Sequence, residues 1–426
     1  MSQNYHRRHS RWYEVIIFNF WFQLIIGFLL VVLLPQWLRY GGWVDSLTFK
    51  VGSNINTLYA NSVAFILSFL ILRKLYQFPG ARNMTYIFPV IAANWLFIIA
   101  ILFFMRAEYA RSIVASSYIF ANLWAFAGFF LGKRYYTPKI ALIPFGTADQ
   151  LYQITDIDIS SLKVPTLQDR RFDALVTDLH YPMPNEWQKF LAECTLSRIP
   201  IYHSQQFIEQ FTGRVKLDRL SENTYGSLYP SPVYELFKRI MEFLMSIILI
   251  PLWLPIILIT GIIIKIDSPG PIFFKQTRVG LGNRDFTVYK LRSMRTDSEK
   301  NGAQFASKND SRITRVGKFI RKTRIDELPQ FINIIKGEMS LIGPRPEQRS
   351  FVEEFEKDIP FYTYRHIIKP GVTGWAQVTQ GYAASEDETR IKLEHDFYYI
   401  KNFSFWLDVL ILLKTIRIIL TKKGAR

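Results

Sequence analysis

The sequence is poor in cysteine and has fewer acidic than basic residues. Cys194 is the only cysteine among 426 residues, which excludes a disulfide framework and a cysteine-rich metal site. A single cysteine is also typical of a reducing compartment. Lysine and arginine number 52, against 35 aspartate and glutamate, so the formal net charge is +17. This excess suits an anionic membrane surface, a nucleic acid or a phosphorylated substrate.

Charged residues are absent from four long apolar runs near the N-terminus. These runs cover residues 15–34, 57–72, 86–105 and 112–132. The first run has spanning length, exceeds a signal-peptide core and is not followed by a small-residue cleavage site. Because charges inside a bilayer mark transport pathways, their absence argues against a transporter. The sequence predicts a four-helix transmembrane bundle over residues 1–134, which serves as an anchor and an assembly surface.

Basic residues in the short loops between these runs predict the orientation of the bundle. Nine lie on one side: Arg7, Arg8, Arg11, Arg73, Lys74, Arg82, Lys133, Arg134 and Lys139. Four lie on the other: Arg39, Lys50, Arg106 and Arg111. The positive-inside rule then puts both ends of the bundle, and everything after Lys133, in the cytoplasm.

A small α/β unit follows the bundle. Strand-like patterns occur at residues 139–146, 172–179 and 198–203, and a helical pattern occurs at 185–194. The unit lacks a G-x-G-x-x-G fingerprint, since Gly146 stands alone after the first strand, and this disfavours a nucleotide site. We predict a Rossmann-like cytoplasmic module with its linker over 135–228, with a regulatory or dimerisation role and a linker at 205–232.

Prolines interrupt a fifth uncharged run, residues 243–264. Pro251 and Pro255 each remove a helical hydrogen bond and clash with the preceding turn. A full crossing would also place the basic region that follows outside the cell, against the positive-inside rule. We therefore expect a re-entrant helix that bends at Pro251 and leaves on the side from which it entered, with a kinked transmembrane span as the alternative.

The last apolar stretch, residues 405–420, carries a narrow polar stripe. Asp408, Lys414 and Arg417 interrupt it, and it is short for a membrane span. An interfacial amphipathic helix with Trp406 at headgroup depth is expected. A helix packed in a protein core is the alternative.

Adjacent carboxylates, Asp326 and Glu327, lie within a strongly basic region. From Lys265 to Arg349 there are 18 lysines and arginines against 9 acidic residues. This crowding favours a phosphate site over a merely solvated surface. Nucleic acid is the rival ligand, but the chain has no recognisable DNA- or RNA-binding motif.

The carboxylates are predicted to lie in the first turn of a helix capped by Thr323 and ended by Gly337. The free amides there, together with neighbouring Arg324, would lower a carboxylate's pKa. An ionised aspartate can attack phosphorus, and an adjacent carboxylate can hold Mg²⁺. Acidic residues are common in first turns, so the pair alone is a weak signal.

Further basic residues could complete the site. Prolines flank Arg345 and restrict its backbone, so it could bind phosphate in bidentate fashion; a simple tight turn is the alternative. Lys290 and Arg292 alternate like one face of a strand and are expected to reach the site. Trp375 is as consistent with core packing as with ligand stacking, and His395 is interpreted as structural.

Three segments in this order resemble the bacterial sugar transferase family, the monotopic phosphoglycosyl transferases. They are KLRSMRTD, RVGKFIRKTRIDELPQFINIIKGEMSLIGPRPE and KPGVTGWAQV. The resemblance covers about residues 234–426, and four N-terminal spans before an α/β module are similar to the large members. It implies a membrane-anchored multidomain protein whose mainly helical α+β catalytic domain, residues 229–426, carries the re-entrant helix and interfacial amphipathic helices.

The resemblance also implies a reaction. A UDP-hexose, expected to be UDP-glucose because that donor is common among similar large proteins, gives its sugar-1-phosphate to undecaprenyl phosphate. UMP leaves, and the product begins exopolysaccharide, capsule or O-antigen synthesis at the bacterial inner membrane, with the catalytic domain facing the cytoplasm. Asp326 would be the covalent nucleophile, Glu327 the Mg²⁺ ligand and Arg345 a phosphate contact. Smaller members have serine before the proline of the break, where this chain has Ile250.

Alternatives remain at the level of the sequence. UDP-galactose or a UDP-N-acetylated sugar would serve the same chemistry, and nothing in the sequence separates them. A non-catalytic membrane scaffold for polysaccharide assembly is a rival of another class, which the intact Asp326, Glu327 and Arg345 disfavour. A homodimer is expected from the resemblance only, membrane lipid is an expected partner, and nucleic acid is not.

Overall fold

Two units make up the described part of the chain. The computed structural model describes residues 8–9, 11–40, 52–154, 157–216, 229–296, 310–380 and 386–421. The units are Met1–Gly213 and Arg214–Arg426. Arg7, Lys50 and residues 217–228 of the predicted linker lie outside the described residues. The predicted domain limits at residues 134 and 228 stay predictions.

Mainly apolar helices of six to 26 residues form the first part of the first unit. They are α1 (Trp12–Ile17), α2 (Phe20–Phe28), α3 (Leu34–Tyr40), α4 (Gly52–Leu75), α5 (Ile87–Phe104) and α6 (Arg111–Tyr136), with a π-helical turn, Leu29–Leu33, between α2 and α3. Among the described residues, five helical stretches are long and apolar enough to cross a membrane. Four belong to this unit, Phe20–Arg39, Ser53–Leu75, Met84–Phe104 and Arg111–Gly132, and the fifth is Ile250–Asp267 in the second unit. These stretches fit a membrane-anchored protein.

The first of these stretches begins later than residue 15, where the sequence predicted it. Helix α1 ends before Phe18, and the Asn19 side chain then caps α2 by accepting hydrogen bonds from the backbone N–H of Trp21 at 2.8 Å and Phe22 at 3.4 Å. Such a cap fixes a helix start because it satisfies amides that have no partner within the helix. The apolar run is therefore divided into two helices by one polar residue.

The α/β module forms a parallel sheet covered on both faces. Its elements are β1 (Lys139–Leu142), β2 (Asp158–Ser161), β3 (Ala174–Thr177), α7 (Asn185–Leu196), β4 (Ile201–His203) and α8 (Ser204–Thr212), with strand order β2-β1-β3-β4. Trp187 and Phe190 of α7 belong to the cluster on one face, and Phe207 of α8 belongs to that on the other. The three predicted strands are confirmed. Helix α8 shows that the predicted linker was wrong at its start, and β2 was missed because it is short and only half-buried.

The second unit is mainly helical and contains two small sheets. Its elements are α9 (Pro232–Ile248), α10 (Ile250–Asp267), β5 (Phe273–Val279), β6 (Asp285–Leu291), α11 (Arg315–Thr323), α12 (Gln330–Lys336), β7 (Ser340–Ile342), α13 (Arg349–Asp358), β8 (Gly371–Thr373), α14 (Trp375–Thr379), α15 (Glu386–Lys401) and α16 (Phe405–Thr421). Strands β5 and β6 pair antiparallel from Phe273↔Leu291 to Val279↔Asp285. Strands β7 and β8 pair in parallel.

A break separates α9 from α10 just before Pro251. Leu249, with φ −84° and ψ 0°, joins the helices, and Pro251 lies in the first turn of α10, where a proline is tolerated. The indole Nε1 of Trp253 donates to the carbonyl of Ser246 at 3.0 Å. Trp253 therefore satisfies a carbonyl that the break would otherwise leave without a partner, a role that the apolar Ile250 cannot fill.

Helix α16 combines a packed and an exposed half. Leu407 and Leu410 are fully buried, whereas Leu420 is 75% exposed. The sequence placed Asp408 on a polar stripe of an interfacial helix. In the structure its carboxylate is instead buried, 2.7 Å from the Lys238 ammonium of α9. The first half is thus a core helix, and interfacial placement of the second half stays a prediction.

Candidate active site

The carboxylates Asp326 and Glu327 lie in a short 3-10 turn, Ile325–Glu327, between α11 and α12. The predicted cap at Thr323 is wrong, because Thr323 ends α11 and its hydroxyl donates to the carbonyl of Phe319 at 2.9 Å. The predicted end of α12 is confirmed: Gly337 has φ +82° and its N–H donates to the carbonyl of Ile334. The dyad therefore occupies a tight corner between helices.

Arg324 makes this corner by adopting a left-handed backbone, with φ 60° and ψ 17°. This conformation costs a non-glycine residue roughly 1–2 kcal/mol, so surrounding contacts must hold it. Ile325 and Leu328 flank the dyad and pack into an apolar cluster with Trp253 of α10. The corner is thereby anchored on the proline-containing helix.

Glu327 is the electrostatic centre of the site. It is 8% exposed, and its Oε1 lies 3.5 Å from Arg345 Nη1, 3.6 Å from Arg324 Nη1 and 3.6 Å from Lys290 Nζ. Burial would raise the pKa of Glu327, but the charges of Lys290, Arg345 and Arg324 outweigh it and lower that pKa to about 2. Three of the predicted phosphate-binding residues therefore converge on one ionised carboxylate.

Asp326 lies in a different environment from its neighbour. Its Oδ1 is buried and has no hydrogen-bond partner among the described residues. Burial and the adjacent charge of Glu327 raise the pKa of Asp326 to about 6, despite the opposing effect of Lys290 and Arg324. The sequence predicted a lowered pKa, so its direction was wrong for Asp326. At neutral pH the carboxylate is still mostly ionised, and none of the described groups hydrogen-bonds its Oδ1.

The Arg345 backbone is fixed from several sides. Gly343 N–H donates to the carbonyl of Thr373 and Gly371 N–H to that of Pro344, both at 2.8 Å. The Arg365 Nη2 donates to the Arg345 carbonyl at 2.9 Å. A Cβ at Gly343 would approach the Lys369 carbonyl oxygen to 2.4 Å, so glycine is needed there. Arg345 is thus held by tertiary contacts in addition to its flanking prolines.

Arg292 is not brought to the dyad. Its Nη2 donates to the Ser268 carbonyl at 2.7 Å, and its Nη1 donates to the Pro269 carbonyl at 2.9 Å. Lys290 lies within β6, and its side chain points toward Glu327. Strand β6 ends at Leu291, so the alternation of side chains along the strand does not continue to Arg292. Arg292 instead fixes the loop that follows α10.

Two buried networks support the site and were not predicted. Arg365 pairs with Asp396 at 2.8 Å, and both side chains are 2% exposed. Lys238 donates to the Ile342 carbonyl at 2.8 Å and to Tyr399 at 2.7 Å, just before the Gly-Pro-Arg-Pro loop. Neither network had a signal in the sequence, because its members are far apart along the chain.

The dyad has the donor chemistry that Mg²⁺ requires. This ion prefers oxygen ligands and is usually held by one or two carboxylates together with substrate phosphates. Glu327 is ionised, and its three cationic contacts all reach Oε1 at 3.5–3.6 Å, farther than a usual N–H···O hydrogen bond. Asp326 Oδ1 is buried and lacks a partner among the described groups. These residues fit a magnesium ion.

Comparisons with known proteins show the family to which this chain is similar. The sequence pattern described as bacterial sugar transferase matches residues 233–422. The UDP-N-acetylgalactosamine-undecaprenyl-phosphate N-acetylgalactosaminephosphotransferase of Aeromonas hydrophila is 52% identical over 99% of this chain and 100% of its own length.

Other similar proteins match less than half of the chain. The UDP-glucose:undecaprenyl-phosphate glucose-1-phosphate transferase of Xanthomonas campestris pv. campestris is 42% identical over 44% of this chain and 40% of its own length. The protein of the same name from Escherichia coli (strain K12) is 37% identical over 47% of this chain and 44% of its own length. The chain therefore spans less than half of these two relatives but all of the Aeromonas protein.

Proposed function

The chain belongs to the bacterial sugar transferase family and is a sugar-phosphate transferase, and from this premise we propose that it moves an N-acetylhexosamine-1-phosphate from its UDP derivative to undecaprenyl phosphate. The observation that carries the reaction is the pair of unlike carboxylates, with Glu327 ionised among three cations and Asp326 Oδ1 buried without a partner among the described residues.

The proposed reaction has two half-reactions at one site. An Asp326 carboxylate oxygen attacks the sugar-bearing phosphorus, the bond between the two phosphates breaks, and UMP leaves with the bonding electron pair. An oxygen of undecaprenyl phosphate then attacks the same phosphorus and releases Asp326. The product is undecaprenyl diphosphate sugar. Arg345, Arg324 and Lys290 would bind the phosphate oxygens and stabilise negative charge that develops during both steps.

Glu327, assisted by Asp326, would hold Mg²⁺, which when bound supplies positive charge to the phosphate oxygens. Arg345 is the residue best prepared for bidentate phosphate binding because its backbone is already fixed. Arg292 is left out of the proposed phosphate contacts, since its guanidinium is engaged by the loop after α10.

The choice of donor rests on the relative that matches over the whole chain. Its name specifies UDP-N-acetylgalactosamine, whereas the relatives named for UDP-glucose match over 44% and 47% of this chain. The expectation of UDP-glucose from the sequence therefore becomes the second candidate.

The membrane arrangement belongs to the same proposal. The exposed apolar side chains of α10, such as Leu258 and Ile262, suit contact with lipid, and the helix has the length of a membrane span. The helix break at Leu249 supports the re-entrant alternative, in which the chain leaves on the side from which it entered. The basic excess in the loops supports a catalytic unit on the cytoplasmic side of the bacterial inner membrane. Accessibility of single cysteines placed before α9 and after α10, in a Cys194→Ser background, would test this; labelling from opposite sides would show a crossing.

The decisive experiment measures UMP release by purified protein in nanodiscs with Mg²⁺. UDP-N-acetylgalactosamine, UDP-N-acetylglucosamine, UDP-glucose and UDP-galactose are offered with and without undecaprenyl phosphate, beside Asp326→Asn. We expect multiple turnovers with an N-acetylated donor and the lipid, at most one UMP per protein without it, and none from the variant. Turnover with UDP-glucose alone would reject the donor, and turnover by Asp326→Asn would reject the mechanism.

A further inference from the structure

A second cluster of chemically active side chains lies in the α/β module. Strands β3 and β4 are neighbours, with Thr177 paired to His203 at their carboxyl ends. Asp178 and His180 follow β3 directly, and His203 ends β4. The metal-ligating atoms of Asp178, His180 and His203 all lie within 4.8 Å of one another.

The burial of His203 is difficult to explain by packing alone. His203 is 8% exposed, and its Nε2 is buried without a hydrogen-bond partner in the described part of the chain. Its other ring nitrogen, Nδ1, lies 3.8 Å from Asp178 Oδ1, 3.4 Å from Leu179 N and 3.5 Å from the Thr177 carbonyl oxygen. A buried polar atom without a partner is costly, so such an atom calls for a ligand. The ring of His180 meets that of His203 edge-on, with centroids 4.6 Å apart. The second imidazole is therefore close to the unsatisfied one.

Asp178 is held rigidly beside these rings. Its Oδ2 accepts hydrogen bonds from Thr147 N–H at 3.1 Å and Thr147 Oγ1 at 2.9 Å, and its Oδ1 accepts one from His180 N–H at 3.1 Å. Gly146, with φ +60°, lets this loop approach, because a Cβ there would lie 2.4 Å from Asp178 Oδ2. Such supporting contacts orient a metal-binding carboxylate.

The position of the cluster is one where α/β sheets bind ligands. Chain order and strand order diverge between β1 and β3, since β2 lies on the other side of β1. In open parallel sheets, ligands bind outside the carboxyl ends of the strands at such a switch point, and the candidate ligands lie one strand away from it, at the ends of β3 and β4. The loop after β1 supplies Thr147, and the ends of β3 and β4 supply the three candidate ligands.

We propose that Asp178, His180 and His203 form a binding site for a divalent transition-metal ion of the zinc type. Two imidazoles and one carboxylate are a ligand set that Zn²⁺ accepts, with one position left for water or a further ligand. Imidazole favours zinc-type ions over Mg²⁺, whereas the dyad offers only oxygen ligands. The site joins the ends of two strands, so a bound ion stabilises the α/β module.

Cobalt binding provides the test, because Co²⁺ replaces Zn²⁺ and has a visible d–d spectrum. Full-length protein in detergent is stripped with a chelator and titrated with Co²⁺, then with Zn²⁺ or excess Mg²⁺. We expect one Co²⁺ per chain, displaced by Zn²⁺ and not by Mg²⁺, and a rise in melting temperature. His203→Gln, Asp178→Asn and His180→Ala should each weaken binding by about 100-fold, at or above the loss seen for outer-shell partners.

Two controls keep the result unambiguous. His366→Gln removes another imidazole, in the second unit, whose buried Nδ1 has no hydrogen-bond partner among the residues that the structure describes. This variant should leave Co²⁺ binding unchanged. Asp326→Asn should also leave it unchanged if the ion is not at the dyad. His180 is exposed, so His180→Ala tests the site without disturbing the core. Absence of Co²⁺ binding by active wild-type protein, binding that survives all three ligand variants, or displacement by Mg²⁺ would overturn the proposal.

Discussion

The two candidate sites of this chain differ in the charge of the groups that surround their carboxylates. At the dyad, three cationic side chains lie within 3.6 Å of one oxygen of Glu327. In the α/β module, Asp178 accepts hydrogen bonds from the Thr147 hydroxyl and from backbone N–H groups, and it lies 3.8 Å from the His203 imidazole. The first arrangement suits an anionic substrate, and the second suits a cation bound by imidazole and carboxylate. The difference shows that a carboxylate's neighbours decide what it can bind.

The largest effect that would test this contrast comes from Glu327→Gln. The change removes the charge that three cations share, and we expect UMP release to fall by about 10²–10³-fold, as for other preorganised charges in active sites. The dependence on Mg²⁺ should weaken as well. Asp285→Asn is the control, because Asp285 is a half-exposed carboxylate of the same unit that pairs with Arg349 at the surface. Full activity in Glu327→Gln would remove this carboxylate from the mechanism.

The same variant separates the two sites. Co²⁺ binding at Asp178, His180 and His203 should be unaffected by Glu327→Gln, since the dyad belongs to the other unit. Measuring both UMP release and Co²⁺ binding on one preparation provides the comparison directly. A joint loss would indicate a general folding defect instead of a lost active-site charge.

Sequence reasoning found the dyad because its features are local. Asp326, Glu327 and Arg345 stand within one basic segment, and Lys290 follows from strand alternation. The details of the turn were wrong, since Thr323 ends a helix instead of starting one and Arg324 adopts the left-handed conformation. A threonine at this position fits the local sequence pattern whether it begins or ends a helix. The packing of Ile325 and Leu328 against Trp253 of α10 decides between the two arrangements, and this packing is not visible in the sequence.

The module cluster could not be predicted in the same way. Its strands were identified, but the adjacency of His203 to Asp178 depends on β3 and β4 being neighbours in the sheet. The Arg365–Asp396 ion pair could not be predicted from the sequence for the same reason, because packing of the fold brings two distant residues together. Arg292 was misplaced because the end of β6 at Leu291 is set by tertiary contacts that periodicity does not contain.

A second prediction concerns the buried support of the phosphate loop. Arg365→Gln leaves Asp396 buried without its charged partner and removes a donor to the Arg345 carbonyl. We expect the second unit to lose about 3 kcal/mol of unfolding free energy, a typical cost of breaking a buried pair. Thermal unfolding in detergent measures the loss, with Arg349→Gln as the matched, more exposed control. Equal stability of both variants would mean that the pair is not a structural element.

A smaller effect is expected from Arg345→Lys. Lysine keeps the charge near Glu327 but cannot make the planar, bidentate contact with phosphate. We expect kcat/KM for the donor to fall about 10- to 30-fold, close to 1.4–2 kcal/mol. Lys318→Arg, on the exposed side of α11, is the matched control for an exchange of basic residues. Unchanged kinetics in Arg345→Lys would reduce Arg345 to a turn residue.

The smallest effect is expected at the Ser246 carbonyl, a polar group at the helix break that receives a hydrogen bond from Trp253. His203 Nε2 is the contrasting case, since it has no partner among the described residues. Trp253→Phe keeps an aromatic ring stacked on Phe331 but removes the N–H that donates to the Ser246 carbonyl. We expect a loss of about 1 kcal/mol in unfolding free energy, because that carbonyl lies at a helix break where few other donors reach it. Denaturation in detergent measures this value, with Trp406→Phe as the control. If Trp253→Phe loses no more stability than the control, water or lipid headgroups satisfy the break and the indole hydrogen bond is dispensable.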